Sequence, residues 1–137
     1  MPKINTSAKG WRKERECRKL LEQEGWNIVF KSIRWKWGTL DFASLFDTIA
    51  VKMDDTTPKW LFISNKHYGS AQTKYPQHQS LIREFKSLYG CDNMEMELWL
   101  WHKPKWAGRG SNKVWLNARW EIIPIKTIEL ESLNEVG

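Results

Sequence analysis

The stretch FDTIAVKMDDTTPKWLFISNK, residues 46–66, places two β-prone runs on either side of a polar turn. The first run extends back to residue 42, and its apolar alternation over 42–52 sets Asp47 among apolar neighbours on one face of a strand. In the second run, Ser64 shares a face with Lys66, which ends the strand. The stretch therefore predicts two adjacent strands of a sheet, with a carboxylate inside the first and a lysine closing the second.

A helix is predicted before these strands, over residues 10–25. Helix-forming residues fill this segment, Cys17 and Leu21 lie at helical spacing, and Gly25 supplies a stop signal. Glu14 precedes Cys17 by three residues and Leu21 by seven, so it lies on the same face of the helix. A carboxylate on a buried face is costly without a partner, which makes Glu14 a candidate functional residue.

The remaining segments complete a pattern of strands and helices. NIVFKS is β-prone, and IRWKWGTLD after it has the composition of a loop or hairpin tip. PQHQSLIREFKSLYG begins with proline and ends with glycine, which predicts a second helix. MEMELWLW predicts a strand, KPKWAGRGSNK a basic turn or loop, and VWLNARWEIIPI one or two further strands. The order predicts an α/β chain of the α+β type, with a mixed central β-sheet flanked by helices.

The chain of 137 residues is long enough for one domain with a hydrophobic core. We predict a flexible N-terminal arm over residues 1–9, a single domain over 10–126 and a C-terminal tail over 127–137. The N-terminus has no apolar signal-peptide core, and no apolar run reaches membrane-spanning length. The two cysteines lack a CxxC or zinc-binding pattern. We therefore expect a cytoplasmic protein with reduced thiols and no contact with membranes.

Charge and aromatic content favour a nucleic-acid partner. Lys and Arg number 22 against 16 Asp and Glu, so the formal net charge is +6; a basic surface kept for solubility is the alternative interpretation. Most of the ten tryptophans are expected in the core or on sheet faces. Trp35 and Trp37 alternate with basic residues in a predicted loop, which indicates a nucleic-acid or dimer surface.

Glu14, Asp47 and Lys66 are three polar groups that would be costly to bury singly. Two carboxylates can hold a divalent metal ion, and a neighbouring lysine can orient or deprotonate an attacking water. The structural alternatives are a Glu14 ion pair, an Asp47 that supports a loop, and an ordinary strand-end Lys66. His78 is expected to be exposed on the second helix, and the three histidines have no metal-ligand spacing. No glycine-rich phosphate loop is present, so no nucleotide cofactor is expected.

Three segments in this order, KGWRKERECRKLLEQEGW, FDTIAV and FISNK, resemble the PD-(D/E)XK nucleases, and within them the archaeal-type Holliday junction resolvases. The resemblance covers residues 9 to about 101. It implies a restriction-endonuclease-like fold and a Mg²⁺- or Mn²⁺-dependent DNA endonuclease acting on branched DNA. In that case Glu14, Asp47 and Lys66 would be catalytic, and Asp47 and Glu14 would bind the metal. The resemblance also implies a homodimer, because paired sites must nick two symmetric strands of a four-way junction.

Ser64 departs from the family pattern, which has an acid two residues before the lysine. The change removes a metal ligand, although the Asn65 carbonyl could still bind metal and Asp41 is the nearest acid in sequence. Ser32 could supply a hydroxyl near the scissile phosphate, but the segment from Ser32 to Asp47 is longer than the family's. The alternative function is therefore a degenerate member that binds DNA or a protein without cutting. An RNA-binding or purely structural protein, which needs no carboxylates, is a third possibility.

DNA is expected across the edge that carries the carboxylates. Basic side chains there would contact phosphates and position the DNA without reading its sequence. The candidate contacts are Arg12, Lys13, Lys31, Arg34, Lys36 and Lys74.

Overall fold

The computed structural model describes residues 6–36, 38–67 and 74–126, so the predicted tail over 127–137 lies outside it. The two helices are α1 (Thr6–Gln23) and α2 (Pro76–Tyr89). The first five strands are β1 (Asn27–Lys31), β2 (Ile33–Trp35), β3 (Gly38–Leu40), β4 (Thr48–Asp54) and β5 (Thr57–His67). The later strands are β6 (Met94–His102), β7 (Lys105–Ala107), β8 (Val114–Leu116) and β9 (Arg119–Pro124).

Five of the strands form one mixed sheet in the order β1-β4-β5-β6-β9. The β5 and β6 strands run parallel, and the other neighbouring pairs are antiparallel. Helix α2 lies between β5 and β6 in sequence and makes the crossover that a parallel pair requires. The α+β class and the mixed sheet flanked by helices are therefore confirmed. The tryptophan-rich strand β6 lies inside the sheet, between β5 and β9.

Two apolar clusters occupy the two faces of the sheet, because successive strand residues point to opposite sides. The cluster beneath α2 contains Phe46, Ile49, Phe62, Ile82, Met96, Leu98, Leu100 and Ile125. The cluster beneath α1 contains Cys17, Leu21, Ala50, Leu61, Ile63 and Trp99. Neither of the helices that cover these clusters, nor any other helix of the described residues, is both long and apolar enough to cross a membrane.

Both helices have boundaries with clear local causes. The α1 helix starts at Thr6, so the prediction of a flexible arm was wrong for residues 6–9, which contain no helix-breaking residue. It is followed by Gly25 in the left-handed region, at φ 93°. Helix α2 begins at Pro76, as the sequence predicted, and the amide of Gly90 after its last residue donates to the Lys86 carbonyl at 2.8 Å.

The strand predicted over residues 42–52 is shorter in the structure, because β4 begins at Thr48. Ala43 and Ser44 have φ values of 53° and 57°, which turn the chain back before the strand begins. A bridge between Phe42 and Phe46 closes this turn. Asp47 therefore lies immediately before β4, at an edge of the sheet, and not inside a strand.

The basic segment predicted as a turn or loop contains β7, which forms a short β-hairpin with β8 at the start of the segment predicted as one or two further strands. Strands β7 and β8 pair antiparallel, and Trp106 lies opposite Trp115 with the ring centroids 5.2 Å apart. Trp106 and Trp115 are 63% and 47% exposed, so these two lie on a short two-stranded sheet and outside the core. The β2 and β3 strands form a similar short hairpin in the segment between Ser32 and Asp47.

Candidate carboxylate and lysine site

Asp47 is held by main-chain hydrogen bonds from two directions. Its amide donates to the Ile63 carbonyl at 2.9 Å, and its carbonyl accepts from the Ser32 amide at 2.8 Å. Its carboxylate oxygen Oδ2 accepts from the Asn65 amide at 2.6 Å. Only 7% of the residue is exposed. The carboxylate therefore has a fixed position at the end of β5, next to the strand residues that precede Lys66.

Burial is the main reason that the pKa of Asp47 rises to about 7. The negative charges of Glu14 and Asp41 raise this pKa further, while the Asn65 amide and the positive charge of Lys66 lower it. Glu14 and Lys66 line one small cavity together with Asn65, whose main-chain amide donates to the Asp47 carboxylate, so the structure brings the three predicted residues close together. It adds a third carboxylate, Asp41, to the group.

Ser32 connects two of the carboxylates. It is 4% exposed, and its hydroxyl donates to Asp41 Oδ1 at 2.6 Å while lying 3.3 Å from Asp47 Oδ1. A hydroxyl has one proton, so it can satisfy one of these oxygens at a time. The sequence identified Asp41 by proximity in the chain alone. The turn before β4 is the structural feature that brings it to Asp47.

Ser64 occupies the position where the family pattern has an acid, and its hydroxyl forms a 2.7 Å hydrogen bond with His78 Nε2. Ser64 is 1% exposed and His78 is half-buried, so the prediction of an exposed His78 was wrong. Burial and the nearby positive charge of Lys66 lower the pKa of His78. This position therefore carries a neutral pair, and no sequence spacing could have indicated it, because the two residues lie on different elements.

Lys66 lies half-buried near the end of β5, with its ammonium nitrogen 6.0 Å from the centre of the Tyr75 ring. A cavity of about 40 Å³ opens beside it and is large enough for water or one small ion, but not for a nucleotide. The cavity is lined by Lys13, Glu14, Asn65, Lys66, His67, Trp101 and Trp120.

The cations predicted to contact DNA occupy different environments. Arg12, Lys31 and Lys36 are exposed. Lys13 forms a 3.1 Å ion pair with Glu16 and lies 3.7 Å from the centre of the Trp101 ring. Lys74 forms a 2.8 Å ion pair with Glu121. The side chains of Arg34, Trp35 and Trp37 lie outside the described residues.

Across the described ranges, no group of three or more His, Cys, Asp or Glu side chains has the arrangement of a metal site. Mg²⁺ commonly uses one or two carboxylates and completes its shell with water and substrate phosphate, so the carboxylates near Lys66 suit it better than a metal that needs a full protein cage.

No family model matches the chain, and a search of curated proteins finds no significant match. Function is therefore inferred from the chemistry of the site.

Proposed function

We propose that the chain is a metal-dependent DNA endonuclease that hydrolyses phosphodiester bonds. The observation that carries the proposal is the fixed Asp47 carboxylate, whose pKa rises to about 7 mainly because of burial and further because of the negative charges of Glu14 and Asp41. Placing negative charges close together in a partly buried position, as at the end of β5, does not stabilise a folded protein. A divalent cation would offset this repulsion, so the arrangement has the character of a binding site.

Asp47 and Glu14 are the residues that would hold the metal ion. Their oxygen atoms are the hard ligands that Mg²⁺ and Mn²⁺ prefer, and burial limits competition from water. When bound, the ion would neutralise negative charge on the scissile phosphate. The Asn65 amide fixes the Asp47 carboxylate through its 2.6 Å hydrogen bond and so limits its rotation.

Lys66 is the proposed residue for orienting the attacking water. Its ammonium group lies close enough to Asp47 to lower that residue's pKa, and it lines the small cavity with Glu14. A water in the cavity could donate to the Glu14 carboxylate and accept from Lys66. The exposed cations Arg12 and Lys31 would attract the phosphate that this water attacks.

A second function, binding of DNA without cleavage, is favoured by one observation. The Ser64–His78 pair offers a neutral hydroxyl and imidazole where the family pattern supplies a carboxylate. With one fewer anionic ligand, metal affinity is expected to be lower. The choice of branched DNA as the preferred substrate, and of a homodimer as the active form, extends the family resemblance and is part of the same proposal.

Cleavage assays separate the two functions. The purified protein is incubated with labelled duplex, single-stranded, flapped and four-way-junction DNA in Mg²⁺, Mn²⁺ or EDTA. The nuclease proposal expects metal-dependent cleavage that falls at least 100-fold in Asp47→Asn and Lys66→Met, with binding in EDTA retained. Asp54→Asn, at the exposed turn between β4 and β5, is the matched control and should cleave normally.

The remaining outcomes assign the protein to another class. Tight binding without cleavage by wild type, with cleavage gained in Ser64→Glu, would identify a binding module that has lost its acid. Cleavage that survives Asp47→Asn would contradict the assigned site. Absence of both binding and cleavage on all four substrates would exclude the nuclease and the DNA-binding module together.

A further inference from the structure

The hairpin formed by β7 and β8 is a strongly basic segment with an exposed aromatic pair. Residues 103–119 contain five basic residues and no acidic residue. All five are exposed, and none forms an ion pair within the part of the chain that the structure describes. The five are Lys103, Lys105, Arg109, Lys113 and Arg119.

The tryptophan pair of this hairpin packs on itself and not on the core. Trp106 and Trp115 face each other across the two strands, with their ring planes at 62°. Strands β7 and β8 contact each other, and neither packs extensively on another described helix or strand. Trp106 and Trp115 thus remain 63% and 47% exposed. Such exposure costs free energy unless a partner covers the rings.

The hairpin begins at the carboxyl end of β6, on the same side of the sheet as the candidate site at the carboxyl end of β5. It follows the end of β6, and β6 runs parallel to β5, with Lys66 opposite Leu100 and His67 opposite Trp101. Strand β9 then returns with Arg119 opposite His102. The carboxyl ends of β5 and β6 therefore carry Lys66 and the start of the hairpin side by side.

We propose that the hairpin of residues 103–119 binds a single-stranded segment of DNA, with Trp106 and Trp115 stacking on unpaired bases and the cations contacting phosphates. Bases in a duplex already stack on each other, so exposed indole rings favour unpaired bases. A second copy of this chain would bring five more positive charges against these five, which disfavours self-association through the hairpin. The choice of DNA over RNA rests on the proposed function; the preference for an unpaired strand rests on the hairpin alone.

This inference narrows the proposed substrate to DNA that has an unpaired strand next to the scissile phosphate, such as a flap or an open branch point. The proposed cleavage could fail while the hairpin still binds single strands. Conversely, the protein could cleave duplex DNA with no contribution from the hairpin.

The test measures binding of a fluorescently labelled dT oligonucleotide to the full chain by anisotropy, in EDTA, where the proposed cleavage cannot occur. Trp106→Leu/Trp115→Leu keeps an apolar pair in the hairpin and should weaken binding about tenfold to 100-fold, while Trp106→Phe/Trp115→Phe should retain most of it. Binding to a blunt duplex of equal length should change by about twofold or less, because stacking contributes little there.

A second pair of variants tests the phosphate contacts separately from the tryptophans. Lys105→Ala/Lys113→Ala should reduce the slope of log K against log salt by about 1.4, since each phosphate contact on a single strand contributes about 0.7. Lys19→Ala/Lys126→Ala removes the same charge from exposed positions elsewhere and should leave the slope within about 0.3 of wild type.

Three results would overturn the inference. The first is unchanged single-strand affinity in both the Leu and the Lys variants. The second is RNA of the same sequence binding more tightly than DNA. The third is a wild-type dimer that the Leu variant dissociates in sedimentation without any loss of DNA binding, which would make the hairpin an interface between copies. If cleavage is absent but the Trp-dependent binding is present, the nuclease proposal fails and this inference stands.

Discussion

Replacing Asp47 with asparagine should make the metal-free protein less sensitive to alkaline pH. In the unfolded chain this carboxyl titrates near 3.8, whereas in the fold its pKa is about 7. The folded state therefore favours the protonated form. This contribution to stability is fully present below the unfolded pKa and is lost as the pH rises through the folded pKa. Asparagine has no such titration and can still accept the hydrogen bond of the Asn65 amide.

The size of the effect follows from the two pKa values. At 1.36 kcal/mol per pKa unit, the wild type should lose about 2.5 kcal/mol of stability between pH 5 and pH 8 because of this group. The free energy of unfolding of Asp47→Asn, taken relative to wild type, should therefore rise by about 2.5 kcal/mol over the same interval. Any constant effect of the substitution cancels in this comparison.

Urea denaturation followed by circular dichroism at pH 5, 6, 7 and 8 in EDTA provides the measurement. His78 has a lowered pKa in the fold, so its contribution is present above the unfolded pKa and is lost as the pH falls, which is the opposite trend. Both proteins keep His78, so its contribution also cancels. The exposed Asp54→Asn variant is the matched control for an aspartate-to-asparagine change outside the site.

Addition of Mg²⁺ extends the test to the proposed ligand. At pH 8, Mg²⁺ should raise the melting temperature of wild type and leave that of Asp47→Asn nearly unchanged, because ligand binding to the folded state alone stabilises it. A pH-independent difference between the two proteins would refute the electrostatic reasoning. Equal stabilisation of both by Mg²⁺ would refute the assignment of Asp47 as a ligand.

Further predictions concern the surroundings of the site and the core. Ser32→Ala removes the hydroxyl between two carboxylates and should lower the free energy of unfolding at pH 8 by about 1–2 kcal/mol, measured by urea denaturation, with a smaller loss at pH 5. Burial raises the pKa of the Cys17 thiol to about 12, whereas Cys91 is exposed. Ellman's reagent should therefore modify Cys91 rapidly and Cys17 only after unfolding, and fast modification of both would contradict the burial of Cys17. Ile82→Ala, at a fully buried position of α2, should cost about 2–5 kcal/mol by the same denaturation assay; a loss below 1 kcal/mol would mean that α2 packs loosely on the sheet.

The sequence was sufficient for the parts of the fold that depend on local patterns. Glu14 lies on the inner face of α1 because it shares the helical spacing of Cys17 and Leu21, and this spacing is visible in the sequence. Pro76 and Gly90 bound α2 as their conformational preferences require. The proximity of Glu14, Asp47 and Lys66 was predicted from the order and spacing of the three segments that resemble the nuclease family, in addition to these local patterns.

The remaining features depend on contacts between residues that are distant in the chain. The turn at Ala43 and Ser44 uses left-handed backbone that neither residue type signals, so the start of β4 was misplaced. The bond between Ser64 and His78 forms because the crossover brings α2 over the end of β5. The exposure of Trp106 and Trp115 was missed because tryptophan usually lies inside, and the paired strands around them are only three residues long.

The pairing of His102 with Arg119 affects how easily the sequence and length of the β7–β8 hairpin can vary during evolution. The sheet is already closed by hydrogen bonds at the base of the β7–β8 hairpin, so residues 103–118 begin and end at adjacent points. A segment such as residues 103–118 can be lengthened, shortened or replaced at a small entropic cost, because the strand pairing holds its two ends together for any sequence between them. The content of the hairpin can therefore diverge by evolution or by grafting while the scaffold and its carboxylates stay unchanged.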